Sequence, residues 1–161
     1  MKLKLILLGL LSLLLAACSD EQATSNTTSS RAAIESKPAN IKPWYAFNQV
    51  SAGARVYQAN CAACHGERGE GAANWRQPGA DGKYPAPPLN GTGHAWHHPL
   101  NMLFHTIKNG SPGGQGNMPA WGGKLSDDEI VSVIAWFQSR WPREIYHAWL
   151  QRDAASRAGK G

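Results

Sequence analysis

Most of the features that would assign this chain to a familiar class are missing from it. After its first 17 residues there is no long apolar run, and even the run at the start falls short of the roughly 20 residues a membrane span needs. No segment alternates convincingly as a β-strand, so a sheet-based architecture has nothing to build on. No internal repeat is visible, which leaves one folded domain. Charge is nearly balanced: 16 Lys and Arg stand against 11 Asp and Glu. Removing Lys2 and Lys4 with the leader leaves 14 basic residues, too weak an excess to indicate nucleic-acid binding. Cysteine and methionine are scarce, with three of each.

The chain starts with Met1-Lys2-Leu3-Lys4, a short positive stretch, followed by an apolar run from Leu5 to Leu15. This is the pattern of a secretory signal over residues 1–17. It ends in Leu15-Ala16-Ala17-Cys18, which resembles the lipobox of bacterial lipoproteins. That resemblance implies cleavage before Cys18, acylation of Cys18, and an anchor of several acyl chains, which holds where one chain would be marginal. It also accounts for the third cysteine. From Ser19 to Pro43 the chain is rich in Ser, Thr, Asn and Ala, and it has too few large apolar side chains to fold. As a flexible coil of about 25 residues it would span roughly 25–30 Å. Residues 18–43 therefore read as a lipidated cysteine and tether, and residues 44–161 as the domain, with a core at about 51–141 and a helical extension over 142–154.

Helical periodicity dominates the domain. Val50, Gly53, Ala54 and Tyr57 share one face of a helix expected over about Gln49–Ala59. Gly53 costs about 1 kcal/mol there, which a closely packed partner helix would justify. A second helix is expected over Pro99–Lys108, with Leu100, Leu103, Phe104 and Ile107 buried and Pro99 in the first helical position. Asn109-Gly110 then ends it. A third starts at Ser126, where Glu129 completes a capping box and Asp127 and Asp128 favour the helix dipole. Its stripe is Ile130, Val133, Ile134 and Phe137, and Pro142 ends it and opens a short fourth helix through Trp149 and Leu150. Between the first two lies Gly66–His98, a run of Gly and Pro without periodicity. A loop that long inside a compact domain makes sense when it wraps something large and apolar. Three short helices alone would also make a thin core.

Cys61-Ala62-Ala63-Cys64-His65 supplies a reason. C-x-x-C-H is the attachment signature of c-type haem: two thiols form thioethers to the vinyl groups, and the adjacent imidazole becomes the proximal iron ligand. A thioredoxin-like dithiol would need a βαβ setting that is absent. A zinc site would recruit two histidines such as His94 and His97. The best sixth ligand is Met118, between a Gly-rich stretch and Pro119. A thioether is soft and neutral, and His/Met ligation raises the reduction potential. Met102, its rival within the domain, falls off the apolar stripe of its helix.

Together these residues give the chain a resemblance to class I monohaem cytochromes c over roughly Ser51–Trp141. The shared parts run in order: Gly53, Tyr57, Cys61-x-x-Cys64-His65-Gly66, Pro87-Pro88-Leu89-Asn90-Gly91, Met118-Pro119 and the helix from Ser126. The resemblance implies an all-α fold wrapped around one covalently attached haem c. It implies a crossing of the first and last core helices, with Gly53 and Tyr57 facing Ile134 and Phe137. It also implies a proline carbonyl that accepts a hydrogen bond from His65 and fixes the imidazole; the Pro-x-Leu-x-Gly spacing places that role on Pro87, with Pro88 the alternative. Trp96 and Trp121 read as packing residues.

The function expected is single-electron transfer by a monomeric, non-enzymatic carrier. It would be lipid-anchored at the periplasmic face of a bacterial membrane and dock transiently with redox proteins. A haem enzyme or gas sensor would need a labile sixth position and a distal acid or base, for which His94, His97, His98 and His105 are the candidates. His98, Met102 and His105, spaced i, i+4 and i+7, also match copper by ligand type.

Overall fold

The computed structural model describes residues 41–159. The signal, Cys18 and most of the tether lie outside them. Five α-helices follow in order: α1 (Phe47–Asn60), α2 (Ala62–His65), α3 (Leu100–Asn109), α4 (Asp127–Gln138) and α5 (Arg143–Ala158). Short 3-10 turns sit at Ala95–His97 and Pro112–Gly114. The described residues contain no strand, only one isolated parallel bridge between Tyr84 and Gly116. The fold is all-α, as the sequence implied.

α1 starts two residues earlier than its apolar stripe suggested. No Ser, Thr, Asp or Asn marks the start, but the Gln49 carboxamide accepts the Ala46 N–H at 2.9 Å and satisfies one of the free donors there. α4 starts as expected: Ser126 N–H donates to Glu129 Oε2 at 2.9 Å, and Glu129 N–H returns to Ser126 Oγ at 3.3 Å. It stops at Gln138, a turn before Pro142, because Arg140 and Trp141 already tighten into i→i+3 bonding, to the Phe137 and Gln138 carbonyls. Pro99 and Pro142 are both N-caps with extended ψ (163° and 146°), not first helical residues as Pro99 was expected to be. The fourth expected helix is not short. α5 runs 16 residues, past the expected end of the extension at 154; Ile145, Tyr146, Trp149 and Leu150 form its packed face, and the buried Asp153 continues it by another turn.

The core forms where α1 crosses α4. A Cβ on Gly53 would lie 1.9 Å from the Ser132 carbonyl oxygen and 3.0 Å from Trp136 Cβ, so the backbones touch at a distance only glycine permits. Tyr57 stacks on Trp136, with ring centroids 3.8 Å apart. Such a pair contributes about 0.5–1.5 kcal/mol beyond its area. The crossing is thus the one expected, but Gly53 and Tyr57 meet Ser132 and Trp136 instead of Ile134 and Phe137. All four residues of the expected α4 stripe are buried, and so are Ser132, Ala135 and Trp136 between them and Gln138 after them. α4 is enclosed on nearly every side.

α5 closes the structure over this core and holds two other parts of it. Tyr146 Oη accepts the Trp44 N–H at 3.3 Å, and Gln138 Oε1 accepts the Trp44 indole at 2.7 Å. Ile41 also packs against the core. Further along α5, the buried Asp153 carboxylate accepts the Leu100 N–H at 2.8 Å and so caps α3 from another helix.

Candidate haem site

α2 is a single turn built from the C-x-x-C-H motif itself. The Cys64 and His65 amides donate to the Cys61 carbonyl at 3.1 and 2.9 Å, and Gly66, with φ of 79°, ends the turn. The buried Tyr57 hydroxyl donates to the Gly66 carbonyl at 2.7 Å, which fixes the turn to α1. Burial holds that hydroxyl well above the ordinary phenol range, so it remains a donor.

His65 is buried, 7 % exposed, and its Nδ1 lies 2.8 Å from the Pro87 carbonyl oxygen. A carbonyl only accepts, so Nδ1 carries the proton and Nε2 is left with its lone pair. Burial is the main influence and lowers the His65 pKa, while the Pro87 carbonyl acts in the opposite direction. A neutral imidazole with a fixed tautomer is the form that binds iron.

Cys61 is half-buried and Cys64 exposed, and both are free thiols. Burial, and secondarily Cys64, pushes the Cys61 thiol up to about 11. The described residues form no strand, so the βαβ setting of a dithiol exchanger is absent, and the turn presents two thiols beside a neutral imidazole. That set suits thioether attachment and axial ligation of haem.

The loop that delivers Pro87 is ordered by glycines and backbone bonds. Gly71 N–H donates to the His65 carbonyl at 2.7 Å, Ala72 N–H to Ala86 at 2.8 Å and Leu89 N–H to Gly69 at 2.7 Å. Gly71 has φ of 72°, and a Cβ there would fall 2.4 Å from Pro88 N and 2.6 Å from Pro87 C. The turn at 69–72 therefore lies directly against the Pro87-Pro88 backbone. The sequence showed these glycines but gave them no role. It is Pro87, not Pro88, whose carbonyl meets His65.

Met118 is half-buried and packs against the same core as Cys61 and Leu89. Its N–H donates to Ser111 Oγ at 3.1 Å, and its carbonyl accepts the Ser111 N–H at 3.0 Å. Gly110, with φ of 85°, turns the chain out of α3 so that Ser111 reaches it.

The alternative metal sets do not assemble. Among the described residues no group of three or more His, Cys, Asp or Glu side chains is placed to hold a metal ion, so Cys61 and Cys64 are not joined by His94 and His97. Met102 is 42 % exposed. His98 precedes the Pro99 cap of α3, its carbonyl is taken by the Trp149 indole at 2.9 Å, and its ring lies edge-on to His94. Trp96 packs on His97, with centroids 3.8 Å apart, and Lys124 lies over Trp121.

Comparison with known proteins gives the same chemistry. The family model described as cytochrome C oxidase, cbb3-type, subunit III matches residues 48–137. The cbb3-type cytochrome c oxidase subunit CcoP of Azospirillum sp. (strain B510) is 38% identical over 88 residues, 55% of this chain, which spans only 27% of that protein. Cytochrome c6 of Picosynechococcus sp. is 35% identical over 89 residues, covering 54% of this chain and 69% of the relative. Cytochrome c-551 of Bacillus subtilis is 28% identical over 140 residues, covering 86% and 96%. No solved structure gives a significant match.

Proposed function

Because the chain belongs to the c-type cytochrome family described as cytochrome C oxidase, cbb3-type, subunit III, and its cofactor is covalent haem c, we propose that it is a His/Met-ligated single-electron carrier tethered to a membrane. The observation that carries this reading is the 2.8 Å approach of His65 Nδ1 to the Pro87 carbonyl, beside two free cysteines one and four residues upstream.

In this reading Cys61 and Cys64 hold the haem, His65 Nε2 is the proximal ligand and Met118 the sixth. The bound haem supplies one-electron chemistry, its iron alternating between Fe(III) and Fe(II). The chain's part is to keep the ligands still. The proton on His65 Nδ1 stays in its bond to Pro87, so the ring neither rotates nor changes tautomer. The Tyr57–Gly66 bond holds the end of the turn that carries His65. The Ser111–Met118 pair holds the opposite segment through backbone atoms and leaves the thioether free. Were His65 and Met118 both to hold the iron, no position would be left for a substrate, as a carrier requires and a haem enzyme or gas sensor does not.

Anchoring rests on the sequence: a signal over 1–17, an acylated Cys18 and a tether to residue 43. In this reading attachment is through the acyl chains on Cys18. No helix among the described residues is long and apolar enough to cross a membrane. The placement is the periplasmic face of a bacterial membrane. Partners are redox proteins that dock weakly, and the relation to CcoP suggests an oxidase among them.

Visible spectra of the oxidised and reduced holoprotein, beside Met118→Ala, test the ligation. Oxidised wild type should show the weak red-edge charge-transfer band of Met-bound ferric haem, and the variant should lose it and take up carbon monoxide. A wild type that lacks the band and binds carbon monoxide readily would overturn the carrier reading in favour of a labile sixth position.

A further inference from the structure

We propose that Trp141, outside the attachment motif and 54 residues past Pro87, is a positioning residue for the proximal histidine. This rests on the reading of His65 as the iron's ligand. The Trp141 indole N–H donates to the Leu89 carbonyl at 2.7 Å, across 52 residues of sequence. Trp141 is 7 % exposed and lies against Phe137 and Trp149, with ring centroids 5.9 and 6.1 Å away, so its donor has a fixed direction.

The bond matters because of what precedes Leu89. Pro87 and Pro88 have no N–H, so the segment carrying the Pro87 carbonyl cannot secure itself through its own donors there. Its first anchoring residue downstream is Leu89. The Leu89 N–H is held by the Gly69 carbonyl at 2.7 Å, and the Leu89 carbonyl by Trp141. The inner edge of the segment thus rests on the 69–72 turn and the outer edge on the junction between α4 and α5. Gly91 completes the seat: a Cβ there would come within 2.8 Å of Pro142 Cδ and 3.4 Å of Trp141 Cδ1.

The consequence is electronic. The strength of the Nδ1–H···O bond sets how basic the imidazole is toward iron, and a more basic imidazole favours Fe(III). Without the Trp141 donor the Pro87 carbonyl is held from one side only, its bond to His65 weakens, and the reduction potential rises.

The test is spectroelectrochemistry of the full holoprotein with Trp141→Phe. At a fixed ambient potential its ferrous-to-ferric ratio should increase about threefold, less than the effect of deleting a direct partner of a ligating histidine. Trp44→Phe is the control. It removes another indole bond, to the Gln138 carboxamide oxygen, and should lower stability without moving the potential. If Trp141→Phe does not take up haem, replacement of Trp141 by benzothienylalanine, which keeps the ring shape and removes only the N–H, gives the same readout. An unmoved potential, or an equal shift in both tryptophan variants, overturns the proposal. A wild-type spectrum without His ligation would instead overturn the reading beneath it, so the two failures are distinguishable.

Discussion

The segment from Gly66 to Leu100 and the segment from Gly110 to Gly122 are both irregular and glycine-rich, yet they are held very differently. The first is braced from the C-terminal end of the domain. Trp141 bonds Leu89, Trp149 bonds His98, and Asp153 caps α3 at Leu100. Its glycines at 71 and 93 lie against the Pro88 backbone, where a Cβ would fall 2.4 and 2.2 Å away. The second is pinned mainly by the end of α3: Trp121 N–H to Ile107, Gly122 N–H to Lys108, and the Ser111–Met118 pair. A Cβ on Gly113 or Gly114 at its tip would meet nothing within 4 Å. Composition alone would rate the two segments alike. Rigidity comes from what the backbone rests on, and only the first carries the histidine's partner.

Substitution of matched glycines is the strongest way to break this contrast. Gly71→Ala adds a positive-φ penalty to a clash with backbone atoms that cannot swing aside, and should cost about 2–5 kcal/mol in chemical denaturation. Asp153→Ala removes a cap supplied from α5 and should cost about 1–2 kcal/mol, read the same way. Gly114→Ala has a similar φ of 70° but open space, so about 1 kcal/mol is expected. If Gly114→Ala proves as damaging as Gly71→Ala, the two segments are not held differently.

The smallest effect expected is pH-dependent. Burial lowers the His94 pKa, aided by His97, and lowers that of His98, aided by His94, His97 and Arg152. Both fall below the ordinary value of 6.5, so the unfolded chain takes up protons first as pH drops. The stability these rings contribute is complete above about pH 6.5 and declines as pH falls toward their lowered values. Denaturation midpoints of the holoprotein at pH 7.5 and 5.5 should differ slightly, and less in His94→Gln.

Periodicity and capping made the helices legible. Gly53 announced a close crossing before any partner was known, and Ser126 with Glu129 marked the start of α4. What stayed hidden was held by contacts that leave no local trace. Gln49 starts α1 with a side chain two residues inside the helix. Asp153 caps a helix 53 residues upstream, and a tryptophan after α4 bonds a carbonyl in the Pro-rich loop. Cys61, Cys64 and His65 stood out because their chemistry fixes their spacing. The tie of Pro87 to His65 came only with the resemblance to a family, and the residues that steady Pro87 did not come at all.

The seat of Trp44 on α4 and α5 bears on how the domain comes into being. Its indole acceptor, Gln138, lies 94 residues further along, and its amide acceptor, Tyr146, 102 residues further. A chain made from its N-terminus therefore displays Trp44, and the Tyr57 face of α1, well before their partners exist. Their native partners exist only once α4 and α5 have been made, so this part of the core is expected to close late.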